Sequence, residues 1–130
     1  DRMPDAMVAS DLIVSRAGAS SLAEILAIGK PSVLLPYPFH RDRHQLHNGD
    51  VLVKGGAAIM LEDHKDAAAN ARDLGLVLGS LLRDDRCRRE MGASARAMGR
   101  PDAARVIAQV LASAASAPRG SLFRLDGTET

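Results

Sequence analysis

A chain of 130 residues suits one domain and can bury roughly two thirds of the surface its unfolded form exposes. Its 17 Lys and Arg against 16 Asp and Glu leave a net charge of +1 and no basic field, and one tyrosine, two phenylalanines and no tryptophan make no stacking platform, so no nucleic-acid partner is expected. The single cysteine, Cys87 in "RDDRCRRE", excludes an internal disulfide and a thiolate-rich zinc site and fits a cytosolic protein.

In chain order, "MPDAMVAS" predicts a short helix with Pro4 in its first turn, and "DLIVSR" a buried strand of Leu12, Ile13 and Val14. The stretch "SRAGASSLAEILAIGKP" then opens a helix whose apolar face is Leu22, Ile25 and Leu26, with Gly29 before Lys30-Pro31 as its stop. "SVLLPY" predicts a second strand, "PFHRDRHQ" a polar loop, and "HQLHNGDVLVKGG" a helix closed by Gly55-Gly56 in spite of Gly49 inside it. "AAIMLE" predicts a third strand. From Asp66 onward three helical stretches follow, "DAAANARDLGLVLGSLLRD", "DRCRREMGASARAM" and, after the break at Gly99-Arg100-Pro101, "PDAARVIAQVLASAA". The aperiodic residues 118–130 are expected to form a loose tail.

Short strands separated by helices imply parallel pairing, because an antiparallel hairpin needs no helix between its strands. The expected fold is therefore α/β. Three strands are few for a doubly wound sheet, and the chain opens on Asp1 rather than methionine, so it is expected to be a piece of something longer. No run reaches the length of a bilayer-spanning helix, and "DRMPDAMVAS" lacks the apolar stretch of a signal peptide, so any membrane contact is expected to be peripheral.

Two polar constellations fall where a parallel sheet presents ligand loops. At the first, a helix start leaves backbone N–H groups without intrahelical partners and carries the positive end of the helix dipole, which suits a phosphate. Gly18 allows close approach, and Ser20 and Ser21 add hydroxyls. The same letters also read as a capping box, Ser21-x-x-Glu24, which needs no ligand and is the commoner explanation on spacing alone. At the second, His44, Gln45 and Asn48 lie within about one helical turn, so imidazole and amide groups can meet sugar hydroxyls, or simply be solvated. His40, His44 and His47 have spacings that a metal can use, but there is no HExxH and no definite third ligand, so no metal site is expected. GxGxxG, the P-loop and G-x-S-x-G do not occur, and Cys87 has no identifiable base, which disfavours dinucleotide binding, ATP hydrolysis and nucleophilic catalysis. The arginines around Cys87 are offset by Asp84, Asp85 and Glu90 and read as a solvated helix face.

Taken together and in this order, "SDLIVSRAGASSLAEILAIGKPSVLLPYP", "DRHQLHNG" and "GGAAIML" resemble the C-terminal domain of MurG-type glycosyltransferases, with the layout "ADxVxxRSGAxTxxEIxxxGxPxxxxPxP", "DxQxxNA" and "GAA" before a strand. The resemblance runs from about Met7 to near Ser113. It implies that residues 1–117 are part of the C-terminal, Rossmann-like domain of a GT-B glycosyltransferase. Such enzymes transfer N-acetylglucosamine from UDP-N-acetylglucosamine to lipid I, undecaprenyl-pyrophosphoryl-N-acetylmuramyl-pentapeptide, at the cytoplasmic face of the membrane in peptidoglycan synthesis.

By the same resemblance, Gly18, Ala19, Ser20 and Ser21 would bind the donor diphosphate, Glu24 the ribose hydroxyls, and His44 and Gln45, with Asn48 nearby, the sugar or diphosphate. No catalytic residue is expected in this chain and no cofactor. The acceptor site would belong to a missing N-terminal domain or subunit. Arg16 matches the motif without an assigned role. Ala17, Ser21, His44 and Gly49 depart from the family's serine, threonine, glutamine and alanine; Ser21 keeps the hydroxyl, whereas His44 exchanges an amide for a ring with one donor and one acceptor. A non-catalytic donor-binding subunit of a split glycosyltransferase, or a related nucleotide-sugar enzyme with another sugar or acceptor, would carry the same residues.

Overall fold

The computed structural model describes residues 2–38 and 43–116, in two compact units, Asp1–Arg100 and Pro101–Thr130. In the first unit the chain runs α1 (Met3–Ala9), β1 (Ile13–Ser15), α2 (Ala19–Ile28), β2 (Ser32–Leu34), α3 (His44–Lys54), β3 (Ala58–Met60), α4 (Ala67–Arg83) and α5 (Asp85–Met98). The described part of the second unit is one helix, α6 (Ala103–Ser116), with Val106, Ile107, Val110 and Leu111 at the spacing of an apolar stripe. The tail expected over 118–130 and His40 lie outside the described residues.

The three strands form one parallel sheet in the order β1-β2-β3, as the strand–helix alternation requires. The register aligns Val14, Val33 and Ile59 in one row and Ser15, Leu34 and Met60 in the next. Successive side chains leave a strand on opposite faces, so these rows serve two cores. On one face Leu34 and Ala58 pack with Leu22 and Ile25 of α2, Leu52 of α3 and Ala95 of α5; on the other, Val33 packs with Leu81 of α4 and Met91 of α5. The sheet is thus covered on both sides, and its central strand is buried throughout.

The expectation that β1 is a buried strand requires correction. Leu12 and Ile13 are half-buried, and Val14 is 44% exposed although Val33 beside it is fully buried. Among the described residues β1 pairs with β2 alone, so its apolar run stands at the edge of these three strands.

Helix ends follow local chemistry. Asp66 and Asp84 cap α4 and α5, their carboxylates accepting from the Ala69 and Cys87 amides at 2.7 and 2.9 Å. α2 stops at Gly29, in the left-handed region at φ 67°, as its position before Lys30-Pro31 predicts. A β-carbon there would lie 2.8 Å from Arg96 Nε, and one at Gly99 would lie 2.4 Å from the Leu26 carbonyl oxygen. Glycine at the end of α2 and just beyond α5 thereby allows these two helices to approach closely. The helix over His44–Lys54 tolerates Gly49 because that residue faces inward, against Met60, Ala17 and Leu34.

Candidate functional site

The carboxyl ends of β1 and β2 lead into α2 and α3, and the structure brings the two polar constellations together there. Asn48 of α3 donates from Nδ2 to the Ala17 carbonyl at 3.3 Å, and Gly49 sits over the Ala17 side chain. The N-terminal half of α3 is therefore fastened to the residue that precedes Gly18.

The capping-box reading of Ser21 and Glu24 does not hold. Gly18 is the N-cap, extended at φ −70° and ψ 139°, and α2 has no side-chain cap hydrogen bond. The first intrahelical bond runs from the Leu22 amide to the Gly18 carbonyl at 3.0 Å. Ser21 thus occupies the third helical position, where its side chain cannot cap, and Glu24 the sixth, too far along to reach back. Among the described residues no acceptor meets the amides of Ala19, Ser20 and Ser21. A β-carbon at Gly18 would meet nothing within 4 Å, so this helix start opens on free space. Ser20 is exposed and Ser21 partly so. The arrangement can hold an anion on three amides at the positive end of the helix dipole.

Glu24 is exposed on α2, about 8 Å further along the axis than Ala19, and lines a groove with Met3, Pro4 and Met7 of α1. Gln45 of α3 is half-buried, and its Oε1 accepts from the Tyr37 amide at 2.9 Å. A backbone amide can only donate, so this bond sets the side-chain amide's orientation and leaves Nε2 as a directed donor. His44 is exposed on the first turn of α3, whereas Asn48 commits its donor to Ala17 and joins the two helices.

A third group of residues was not legible as a group in the sequence. Arg16, just past β1, donates from Nη1 to the Leu35 and Pro36 carbonyls beyond β2, at 3.0 and 3.5 Å, and to Asp63 Oδ2 beyond β3 at 2.6 Å. Its guanidinium lies 5.8 Å from the centre of the Tyr37 ring. The other carboxylate oxygen of Asp63 accepts from Asn70 Nδ2 at 2.8 Å and from the Lys65 amide at 2.9 Å, the latter closing a turn that holds Lys65 at φ 59°. Hydrogen bonds from Asn70, from the Lys65 amide and from Arg16 draw the Asp63 carboxyl down from 3.8 to about 2. Asp63 stands 47 residues from Arg16, so no local spacing announces the pair. Between this anchor and α3 lies a cavity of about 460 Å³ lined by Pro36, Tyr37, Arg43, Leu46 and Lys65.

The helix face around Cys87 behaves as its alternating charges suggest: Asp85 pairs with Arg88 and Arg89, and Arg86 lies near Glu90. Cys87 itself is partly buried against the second core. No helix among the described residues is long and apolar enough to cross a membrane.

A parallel sheet with helices on both faces, and polar helix starts gathered at the strands' carboxyl ends, places the chain in the Rossmann-like α/β class. Residues 1–107 match the model of the glycosyltransferase family 28 C-terminal domain, and the chain belongs to that family. It is 46% identical over 107 residues to the UDP-N-acetylglucosamine--N-acetylmuramyl-(pentapeptide) pyrophosphoryl-undecaprenol N-acetylglucosamine transferase of Chlorobaculum tepidum, covering 82% of this chain and 29% of the relative. The protein of the same name from Limosilactobacillus fermentum is 42% identical over 113 residues, covering 86% and 30%. The crystal structure of Acinetobacter baumannii MurG superposes with a TM-score of 0.73 at 27% identity, over 84% of this chain and 30% of that one. The chain therefore spans less than a third of the length of these relatives, and its fold is a part of theirs.

Proposed function

We propose that this chain is the donor-binding part of an inverting glycosyltransferase that moves N-acetylglucosamine from UDP-N-acetylglucosamine to lipid I in peptidoglycan synthesis, working as a peripheral protein at the cytoplasmic face of the membrane. The observation that carries the reading is the start of α2, whose first three amides meet no acceptor among the described residues, held beside Gln45 through the Asn48–Ala17 bond. The relatives' names supply the sugar and the lipid-linked acceptor.

In this reading the amides of Ala19, Ser20 and Ser21, with the Ser21 hydroxyl, bind the diphosphate, and the absent side chain of Gly18 lets it approach. As the glycosidic bond breaks, negative charge grows on the departing diphosphate, and oriented amides stabilise it without needing a metal; one such donor is worth about 3 kcal/mol at the transition state. Glu24 accepts the ribose hydroxyls. Gln45 Nε2 donates to an acceptor oxygen of the sugar or diphosphate, and His44 adds a contact at the same rim. The base that activates the acceptor, and the acceptor site itself, belong to an N-terminal domain or subunit beyond this chain.

Grafting tests the reading. The matching segment of the Chlorobaculum tepidum relative is replaced by residues 1–107 of this chain, and the hybrid is assayed with UDP-N-acetylglucosamine and UDP-glucose. Transfer from the N-acetylated donor, lost when Glu24→Ala is introduced, is the expected result. A folded hybrid that binds neither UDP donor contradicts the proposal.

A further inference from the structure

Arg16 has the unusual position of touching the ends of all three strands. It belongs to the β1 end, its guanidinium reaches two carbonyls beyond β2, and its carboxylate partner lies beyond β3. Two of these contacts fall on the segment 35–37, which contains Tyr37. The Tyr37 ring rests against the same guanidinium, and the Tyr37 amide bonds Gln45 Oε1. A continuous path therefore leads from Asp63 through Arg16 and Tyr37 to Gln45.

Such a path matters because Gln45 works by direction. The amide of a glutamine has three side-chain torsions to fix, and here one hydrogen bond, from the Tyr37 amide, decides which end of the amide points away. If the 35–37 segment moves, that bond moves with it. Past Leu35, whose amide bonds the Ser15 carbonyl at 3.0 Å, the segment leaves the sheet, and Arg16 holds it there through the Leu35 and Pro36 carbonyls. Arginine suits this task because its long, planar head carries Nη1 to both carbonyls and to the Asp63 carboxylate with the charge 5.8 Å from the ring centre, whereas a lysine ammonium is a freely rotating point charge on a shorter arm. The carboxylate end is equally constrained. The Asp63 side chain is 9% exposed, and Asn70 and Lys65 hold it from the far side.

We infer that Arg16 is a positioning residue for donor recognition: anchored on Asp63, it fixes the 35–37 segment and through the Tyr37 amide sets the direction of Gln45. The inference rests on the proposed donor site for its consequence, while the coupling itself is a property of the unliganded chain.

The test compares Arg16→Lys and Asp63→Asn with the unaltered chain by amide hydrogen exchange and by the Gln45 side-chain NH₂ signals, with Val33 and Leu34 in β2 as internal reference. Exchange at the Tyr37 amide should rise about tenfold in Arg16→Lys, the equivalent of one lost hydrogen bond, with the Gln45 NH₂ pair shifting and the β2 amides unchanged. Asp63→Asn should act in the same direction and less strongly. UDP-N-acetylglucosamine should then bind about tenfold more weakly to Arg16→Lys. Unchanged Tyr37 exchange in a folded Arg16→Lys chain overturns the inference, and so does an equal rise at Tyr37 and in β2, which marks a general stabiliser. Absence of donor binding in the unaltered chain counts against the donor site alone, because the exchange comparison still decides whether Arg16 holds Gln45.

Discussion

Ser32 is fully buried at the start of β2, and its hydroxyl finds no partner among the described residues. A buried hydroxyl without a hydrogen bond is destabilising, so Ser32→Ala should raise unfolding stability by about 1 kcal/mol in a urea titration. Two glycines make a paired test of packing. At Gly99 an added β-carbon would collide with backbone, the Leu26 carbonyl oxygen 2.4 Å away, whereas at Gly49 it would meet the Met60 sulfur at 2.7 Å, part of a flexible side chain that can turn aside. Gly99→Ala should therefore cost about 2 kcal/mol or more, and Gly49→Ala less than about 1. Residue types revealed much of this: Gly29 before Lys30-Pro31 reads as a helix stop and is one. The close approaches at Gly49 and Gly99 were not legible, because their partners lie on other elements.

Elements were legible to different degrees, and the reason is physical. Helices α4 and α5 carry side-chain caps and long apolar stripes within one stretch of chain, so local signals suffice. β1 has the apolar letters of an interior strand, yet among the described residues β2 alone pairs with it, so its exposure reflects which neighbours a chain spanning less than a third of its relatives contains. The start of α2 misleads in another way. "SLAE" has the letters of a capping box, but the helix already begins at Ala19, with glycine as cap. Glu24→Ala should therefore leave stability within about 0.5 kcal/mol, where loss of a cap costs about 1, and a thermal melt beside a donor titration separates structure from binding. The anchor that joins the strand ends gives a pH signature. Asp63 titrates near 2 in the folded chain against 3.8 ordinarily, so between those values the folded state holds fewer protons than the unfolded. Its contribution is complete above pH 4 and is lost as the pH falls toward 2. Asp63→Asn should flatten the dependence of stability on pH across that window, as read by denaturation at successive pH values.

At the scale of the whole molecule, order carried more than any single motif. A glycine-bearing helix start, a polar loop and a "GGAA" strand entry are each common, yet their succession matches a family model over residues 1–107. The fold then explains why the succession is kept together: β1 and β2 are adjacent and parallel, so the helices that follow them open at the same end of the sheet, and Asn48 ties them. What the sequence could not disclose is the network from Asp63 to Gln45, since its contacts are made across strand ends by residues far apart in the chain.

The central claim is that the start of α2 is a diphosphate site. Backbone amide resonances of the 130-residue chain, followed through a titration with UDP-N-acetylglucosamine, test it most directly. Saturable shifts centred on Ala19, Ser20 and Ser21, with smaller ones at Glu24 and Gln45, are predicted. No shift at these amides at millimolar donor, or shifts confined to the α4–α5 side of the sheet, would contradict it.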